Sequence, residues 1–186
     1  DCALKLHAVQ RMAEAMQEPE AYLDAAVVFP AFATPGRPDL PELVQPRDVP
    51  RRGLGNVEGR AALLHAIAHI EFNAINLACD AVQRFNNMPE AFYRDWTSVA
   101  IDEARHFRLL QSRLSELGFA YGDFKAHNGL WEMAEKTEYS CLARMALVPR
   151  LLEARGLDVT PGMIEKLRIL QDEKSVAVLQ VILSEE

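Results

Sequence analysis

The sequence has little cysteine, no long apolar run and fewer basic than acidic side chains. Its 186 residues include three cysteines, too few and too scattered for a disulfide framework or a cysteine-rich metal site. No signal peptide or bilayer-length apolar run is present, so the cytoplasm is the expected location, without membrane attachment. With 20 basic and 27 acidic side chains the net charge is −7, which disfavours broad binding to nucleic acids or anionic membranes.

Strand patterns and internal repeats are also missing, and helical periodicity takes their place. The turn signal Asn86–Pro89 separates two long helical patterns, Gly118 ends the second, and Gly156–Pro161 is expected to break a third, with Pro149 as a kink. The sequence therefore predicts an all-α bundle. The predicted helices cover residues 3–17, 58–85, 90–117, 130–155, 162–170 and 172–186.

Proline is concentrated in one segment, residues 19–56, which holds seven of the ten prolines. Proline at this density blocks helix and sheet interiors, whereas apolar residues such as Phe29 and Leu43 predict that the segment packs in extended form. The chain then divides into an N-terminal helix and proline-rich arm, residues 1–57, and a helical bundle, residues 58–186. Because no initiator Met opens the sequence and no capping signal closes the last helix, we expect the natural chain to be longer at both ends.

Three polar residues lie on helix faces that are otherwise apolar. Glu103 and His106 form a Glu-x-x-His pair, and residues three apart share one face of a helix. On a helical wheel Phe107 and Leu110 flank Glu103 at about 40° and about 20°, which puts this carboxylate in the middle of the apolar stripe. Glu71 occupies the same position on the stripe of the preceding helix.

The turn at Asn87 relates the two carboxylates. It lies sixteen residues after Glu71 and sixteen before Glu103. In an antiparallel hairpin this equality places both carboxylates at one level, about 24 Å from the turn at 1.5 Å per residue. His65 and His69 lie about 120° and about 160° from Glu71 on the wheel, so we expect them to form hydrogen bonds rather than to bind a metal directly.

Further carboxylates on the later helices could lie at the same height in the bundle as Glu71 and Glu103. On the last helix the wheel turns Glu186 inward and Glu185 outward. On the third helix Glu153 lies on a less regular apolar stripe near the predicted break, and a plain hairpin would instead favour Glu132 or Glu135.

Such carboxylates need compensation if they are buried. Each unpaired buried charge costs several kcal/mol, whereas a whole domain is stable by only about 5–15 kcal/mol. Protonation, pairing with arginine or metal ions would compensate. One Glu from each of two helices and Glu-x-x-His from each of two others is the ligand set of di-iron and di-manganese bundles, and oxygen and imidazole donors suit iron or manganese, with zinc as an alternative.

Four stretches form a specific combination of motifs: His65–Glu71, Phe92–Trp96, Asp102–Phe107 and Leu152–Asp158. Together they resemble an uncharacterised bacterial ferritin-like family that is distantly similar to the di-iron tRNA hydroxylases, and the likeness runs from about Pro46 to the end. The resemblance implies a ferritin-like four-helix bundle with two iron ions, or manganese in their place. It also implies a sixth ligand, a His after Glu186, that this sequence does not contain. The implied ligands within the sequence are Glu71, Glu103, His106, Glu153 and Glu186.

The function that follows is an O2- or peroxide-activating oxidoreductase of unknown substrate. The alternatives are a ferroxidase or iron-handling protein, and a metal-free helical interaction module with a vestigial site. A tRNA partner follows only from the distant resemblance; the net acidity counts against it, and a small cluster of arginines over residues 47–60 supports it weakly. A homodimer is compatible with each of these functions.

Overall fold

The structure, a computed structural model, describes residues 1–17 and 34–185, and over residues 150–155 it describes the backbone but not the side chains. The described part is all-α, as predicted: it contains no strand, and one short 3-10 helix, Pro46–Asp48, accompanies the α-helices. The α-helices are α1 (Cys2–Gln17), α2 (Val57–Arg84), α3 (Glu90–Glu116), α4 (Gly129–Lys136), α5 (Cys141–Leu147), α6 (Pro149–Ile169) and α7 (Glu173–Glu185).

The two long helices α2 and α3 form the central hairpin. Asn56 caps the start of α2: its side-chain oxygen accepts a hydrogen bond from the backbone N–H of Gly59 at 2.8 Å. The turn between the helices contains Asn87 with a φ of 62°, a left-handed conformation that asparagine tolerates better than most residues. After α3, Gly118 adopts a φ of 84°, so the predicted stop signal is the left-handed residue that follows the helix.

The core lies between this hairpin and the helices packed on it. Helix α1 packs on α3, α7 packs on both α3 and α6, and α4 packs on α2. Each fully buried Leu, Ile or Phe contributes about 1.5–3 kcal/mol by leaving water. The largest fully buried apolar side chains are Leu64, Phe72, Ile75, Phe107, Leu110, Leu114, Leu167 and Leu179.

A buried ionic cluster fixes the beginning of α7 against α2 and α3. Arg113 Nη2 donates to Asp172 Oδ1 at 2.8 Å, and Arg60 Nε lies 3.0 Å from Asp172 Oδ2. Arg113 Nε also donates to the hydroxyl of Ser175 at 2.9 Å, and all but Arg60 are buried. Because removing one partner of a buried pair costs about 3–5 kcal/mol, these contacts hold the direction of α7 and thereby the position of its last residues.

The predicted third helix over residues 130–155 is wrong, because the chain forms α4, α5 and the start of α6 there. Ser140 ends the turn after α4, and its side-chain oxygen accepts from the N–H of Ala143 as the cap of α5. Pro149 is the first residue of α6 rather than a kink inside a helix, a position where its missing N–H costs nothing.

The predicted break at Gly156–Pro161 is also wrong, because α6 continues through it to Ile169. Pro161 leaves the carbonyl oxygen four residues earlier, on Leu157, without an intrahelical N–H donor. Residues 156–159 and Pro161 are exposed, so water can satisfy this carbonyl. The separate helix predicted over 162–170 is therefore the second half of α6.

The described part of the proline-rich arm pairs with the loop between α3 and α4. Val44 N–H donates to the carbonyl of Ala126 at 2.8 Å, and Ala126 N–H donates to the carbonyl of Glu42 at 3.0 Å. The rest of the arm prediction, including Phe29, lies outside the described residues.

Helix α2 is long and apolar enough to cross a membrane by length and composition alone, unlike what the sequence indicated. Its most apolar 18-residue window has a mean hydropathy of 1.2, and 56% of that window is buried inside the protein. More than half of this window is therefore packed against the rest of the protein, as in a core helix, and in the described ranges no other helix meets the same test.

Candidate metal centre

Glu71 from α2 and Glu103 and His106 from α3 meet in the interior. One potential ligand atom from each side chain lies within 4.8 Å of the other two. His106 Nδ1 is 3.5 Å from Glu71 Oε2 and 3.7 Å from Glu103 Oε2, and all three residues are buried. We call these three residues the Glu-Glu-His group.

The hairpin explains why these side chains meet. Glu103 and His106 are three residues apart, so the helix places them on one face. Glu71 comes from the facing helix, at the same sixteen-residue distance from Asn87 as Glu103. The equal spacing predicted that the two carboxylates share a level, and the structure brings both to the same imidazole nitrogen.

Glu185 at the end of α7 determines which nitrogen of His106 carries the proton. Glu185 Oε2 is 2.8 Å from His106 Nε2 and also pairs with Arg105. Because an ionised carboxylate can only accept hydrogen bonds, we assign an Nε2–H group to His106 that donates to Glu185. In the neutral imidazole the lone pair of Nδ1 then points toward Glu71 and Glu103, as in metal-binding histidines whose other nitrogen is held by a carboxylate.

Two atoms of the group have no hydrogen-bond partner although they are buried, Glu103 Oε2 and His106 Nδ1. A buried polar atom without a partner costs about 1–3 kcal/mol. Burial, with the hydrogen bond to Glu71 as a second cause, raises the pKa of Glu103 to about 8. In the metal-free protein Glu103 is therefore mostly protonated at neutral pH.

The spacing of these atoms suits a shared metal ion. Two donor atoms bound to one first-row ion at about 2.1 Å are about 3.0 Å apart at a 90° angle and about 3.6 Å apart at 120°. The 3.5 and 3.7 Å separations around His106 Nδ1 are close to the wider of these values. An ion there would give both unpartnered atoms a ligand bond. The buried Glu-Glu-His group can therefore hold a metal ion.

The structure does not place the other predicted metal ligands in the Glu-Glu-His group. The Glu153 side chain and Glu186 lie outside the described residues. Glu185 was expected to face outward, and it is off the apolar stripe with about one-third of its side chain exposed. Its carboxylate nevertheless also reaches Arg105 and His106 on α3. The alternative candidates on α4, Glu132 and Glu135, are exposed, and Glu135 accepts from the indole N–H of Trp131 at 3.1 Å.

His65 and His69 are hydrogen-bonding groups, as expected. His65 Nε2 accepts from the N–H of Gly122 at 2.9 Å. His69 Nδ1 accepts from the Tyr121 hydroxyl at 2.8 Å, and its Nε2–H donates to the carbonyl of His127 at 3.2 Å. Burial lowers the pKa of both imidazoles to about 4, so they are neutral, and they fix the loop after α3 rather than extend the Glu-Glu-His group.

A cavity of about 550 Å3 adjoins this group, and we call it the bundle cavity. Glu71 and Glu103 form part of its wall, and most of the remaining wall is apolar. Apolar wall atoms near the carboxylates strengthen their electrostatic interaction with a bound ion. The two carboxylates are thus the acidic part of an otherwise apolar chamber.

Comparison with known proteins identifies relatives without assigned chemistry. The profile of a family described as protein of unknown function (DUF455) matches residues 1–186. An uncharacterised protein of Haemophilus influenzae (strain ATCC 51907 / DSM 11121 / KW20 / Rd) is 52% identical over 156 residues, which cover 80% of this chain and 54% of that protein. The chain therefore spans about half the length of this relative. No solved structure matches the chain.

Proposed function

The chain belongs to the DUF455 family, and we propose that it is a non-haem metal protein that activates O2 or peroxide to oxidise a small-molecule substrate. The observation that carries the proposal is the pair of buried, unpartnered ligand atoms, Glu103 Oε2 and His106 Nδ1, beside Glu71. Without an ion these atoms destabilise the fold, and with an ion they become ligands.

The donor set favours iron or manganese. Two carboxylates and one imidazole, without a thiolate, are typical of these metals, with zinc as an alternative. When bound, such a metal supplies a centre that can change oxidation state and bind O2 or peroxide. The chain contributes the Nδ1 lone pair of His106, held by Glu185, and two carboxylates whose charge the ion offsets.

We further propose that the centre holds two metal ions. The Glu-Glu-His group supplies three donor residues, and a second ion needs more carboxylates. Glu153 and Glu186 are the candidates, on the strength of the motif combination that resembles di-iron proteins. In this proposal the ferritin-like four-helix bundle consists of α2, α3, α6 and α7.

A small molecule fits the described surface better than tRNA. The arginine cluster over residues 47–60 would have to bind phosphate, but three of its members already have acidic neighbours. We propose that the protein acts in the cytoplasm on a small molecule rather than on tRNA. The three pairs are Arg47–Asp48 at 3.9 Å, Arg52–Glu58 at 3.1 Å and Arg60–Asp172 at 3.0 Å.

A metal-free helical interaction module is the competing function, and one observation favours it. Because the pKa of Glu103 is raised to about 8, this carboxyl can remain neutral in the interior without an ion. Under this alternative the group is vestigial, and neither iron nor manganese binds in stoichiometric amounts.

Anaerobic titration of the full-length protein with Fe2+, followed by O2 uptake measurements, distinguishes the two. We expect stoichiometric binding and O2 consumption, both reduced at least about tenfold in Glu103→Gln because a ligand is lost. The matched control is Glu132→Gln, the same change on the exposed face of α4, which should bind as the natural protein does. Absence of both Fe2+ and Mn2+ binding would refute the proposal.

A further inference from the structure

Tyr121, in the loop after α3, directs its hydroxyl at an imidazole. The hydroxyl donates to His69 Nδ1 at 2.8 Å. The carbonyl of His127 lies 3.2 Å from His69 Nε2 and can only accept, so the hydrogen of the neutral imidazole is assigned to Nε2. The Asn73 amide, 3.1 Å from the same nitrogen, donates to the His69 carbonyl at 2.9 Å. The lone pair of His69 Nδ1 therefore points at the Tyr121 hydroxyl.

Tyr93, a buried tyrosine on α3, makes a different contact. Its hydroxyl donates to the backbone carbonyl of Phe85 at 3.1 Å and accepts from the N–H of Met88 at 3.1 Å. A peptide carbonyl is a far weaker base than an imidazole, whose ordinary pKa is near neutrality. Of these two tyrosines, only Tyr121 therefore has a hydrogen-bond acceptor that can take up its proton.

Aromatic rings connect Tyr121 to the Glu-Glu-His group. The centroid of the Tyr121 ring is 4.9 Å from that of Phe107, in an edge-to-face arrangement, and 5.7 Å from that of Phe72. Phe107 follows His106 in α3, and Phe72 follows Glu71 in α2. Electrons pass most readily through covalent bonds and van der Waals contacts. These two phenylalanines therefore give Tyr121 two short routes to an ion held by the group.

We propose that Tyr121 and His69 form a redox pair, in which Tyr121 gives one electron to the metal centre while its proton moves to His69. The electron donation rests on the proposed function, whereas oxidation of the pair requires only its own contacts. The oxidant is a metal ion of the Glu-Glu-His group that O2 or peroxide has raised to a higher oxidation state.

Atoms and electrons balance in this step. Tyr121 loses one electron and its hydroxyl proton and becomes a neutral phenoxyl radical, and the metal ion falls by one oxidation state. The O–H bond of Tyr121 breaks, and an N–H bond forms at His69 Nδ1. A phenol that has lost an electron is a much stronger acid than an imidazolium, so the proton crosses the existing hydrogen bond. Both N–H groups of the imidazolium then have acceptors, the Tyr121 oxygen and the His127 carbonyl.

Photochemical oxidation of the full-length protein, freed of metal with EDTA, tests the pair without the metal centre. The one-electron oxidant is tris(bipyridine)ruthenium(III), generated by a laser flash, and electron paramagnetic resonance measures the neutral tyrosyl signal. The background variant Tyr22→Phe/Tyr139→Phe removes the other two tyrosines of the chain. In this background we expect Tyr121→Phe to reduce the tyrosyl yield at least about tenfold. The matched control, Tyr93→Phe, should leave the yield within about twofold.

His69→Gln separates proton uptake from hydrogen bonding. The glutamine carbonyl can accept from the Tyr121 hydroxyl but does not take its proton, so the tyrosyl yield should fall at least about tenfold. The same variant serves if Tyr121→Phe does not fold. A yield that is unchanged in Tyr121→Phe or in His69→Gln, or that falls equally in Tyr93→Phe, would overturn the inference.

Freeze-quenched samples of the Fe2+-loaded full-length protein mixed with O2 test the donation to the metal centre. Electron paramagnetic resonance should show a tyrosyl signal that Tyr121→Phe abolishes, although this variant still binds Fe2+ stoichiometrically. A tyrosyl signal of equal size in Tyr121→Phe would overturn the donation.

Failure of this inference is distinguishable from failure of the proposed function. A protein that takes up neither Fe2+ nor Mn2+ refutes the proposed function and the donation to a metal, whereas the photochemical yields still decide whether Tyr121 and His69 form a redox pair. A protein that binds Fe2+ and consumes O2 but forms no Tyr121 radical leaves the proposed function in place and refutes the inference.

Discussion

Replacing Glu103 with glutamine should stabilise the metal-free protein and destabilise the metal-loaded protein. Glutamine has nearly the same size and shape as glutamate, so the change removes the ionisable group and leaves the packing of α3 intact. In the metal-free protein Glu103 is buried beside Glu71 and carries an unpartnered oxygen. With a metal bound, the same oxygen is a ligand that glutamine replaces poorly.

The pKa of Glu103 gives the size of the effect. Burial raises it from 4.5 to about 8. Because the folded pKa is above the unfolded one, this carboxyl favours folding fully below about pH 4.5, and its contribution is lost as the pH rises through about 8. At about 1.4 kcal/mol per pKa unit, keeping the group protonated costs about 3 kcal/mol at pH 7.

Glutamine avoids this cost but must still find hydrogen bonds, so we expect a net gain of about 1–3 kcal/mol at pH 7. For a chain of this length the gain corresponds to a rise of about 2–12 °C in Tm. The gain should shrink toward zero near pH 4.5, where natural and variant proteins are both uncharged at this position. With Fe2+ at about one hundred times its Kd, the natural protein instead gains about 2.7 kcal/mol.

Calorimetric melting at pH 4.5, 7 and 8.5 measures both the stabilisation expected in EDTA and the destabilisation expected in excess Fe2+ under anaerobic conditions. Glu132→Gln is the control, since the same change on an exposed carboxylate should shift Tm little at any pH. A Glu103→Gln variant that is less stable than the natural protein in EDTA at pH 7, or whose gain does not vary with pH, would refute the reasoning.

Three further predictions concern the surroundings of the site. Glu185→Ala removes the acceptor for His106 Nε2, and we expect metal affinity in chelator competition to fall about 10–100-fold; unchanged affinity would show that Glu185 does not orient the imidazole. Arg144→Met leaves Asp80 with one cation fewer, and the unfolding free energy measured in urea should fall by about 3–5 kcal/mol. A fall below about 1 kcal/mol would mean that the pair does not hold α5 on α2. Burial lowers the pKa of His65 to about 4, so its contribution to stability is present above about pH 6.5 and is lost as the pH falls to about 4. In urea titrations, His65→Gln should therefore reduce the loss of unfolding free energy between neutral and acidic pH by up to about 3 kcal/mol. An unchanged dependence of stability on pH would contradict this.

The part of the candidate site that lies on α2 and α3 was predictable, because helical periodicity and a single turn determine it. The positions of Glu71 and Glu103 follow from the helical wheel and from their equal distance to Asn87, and His106 follows from the three-residue spacing. These are short-range regularities of a two-helix hairpin, which depend little on the rest of the fold. The structure accordingly brings together the three residues that the sequence indicated.

The contribution of α7 was less predictable, because it depends on how distant helices pack. The wheel placed Glu185 off the apolar stripe, but it could not include the attraction of Arg105 and His106 on α3. The continuity of α6 was missed for a related reason. Gly156 and Pro161 are ordinary helix breakers, yet an exposed helix surface lets water satisfy the carbonyl that Pro161 leaves free. In both cases tertiary context outweighs local propensity.

The most direct test of the central claim is anomalous scattering at the iron edge from crystals of the full-length protein grown anaerobically with Fe2+. The account predicts an anomalous peak within about 2.0–2.2 Å of His106 Nδ1 and of carboxylate oxygens of Glu71 and Glu103. No peak in the interior, or a peak that contacts none of these three residues, would contradict it.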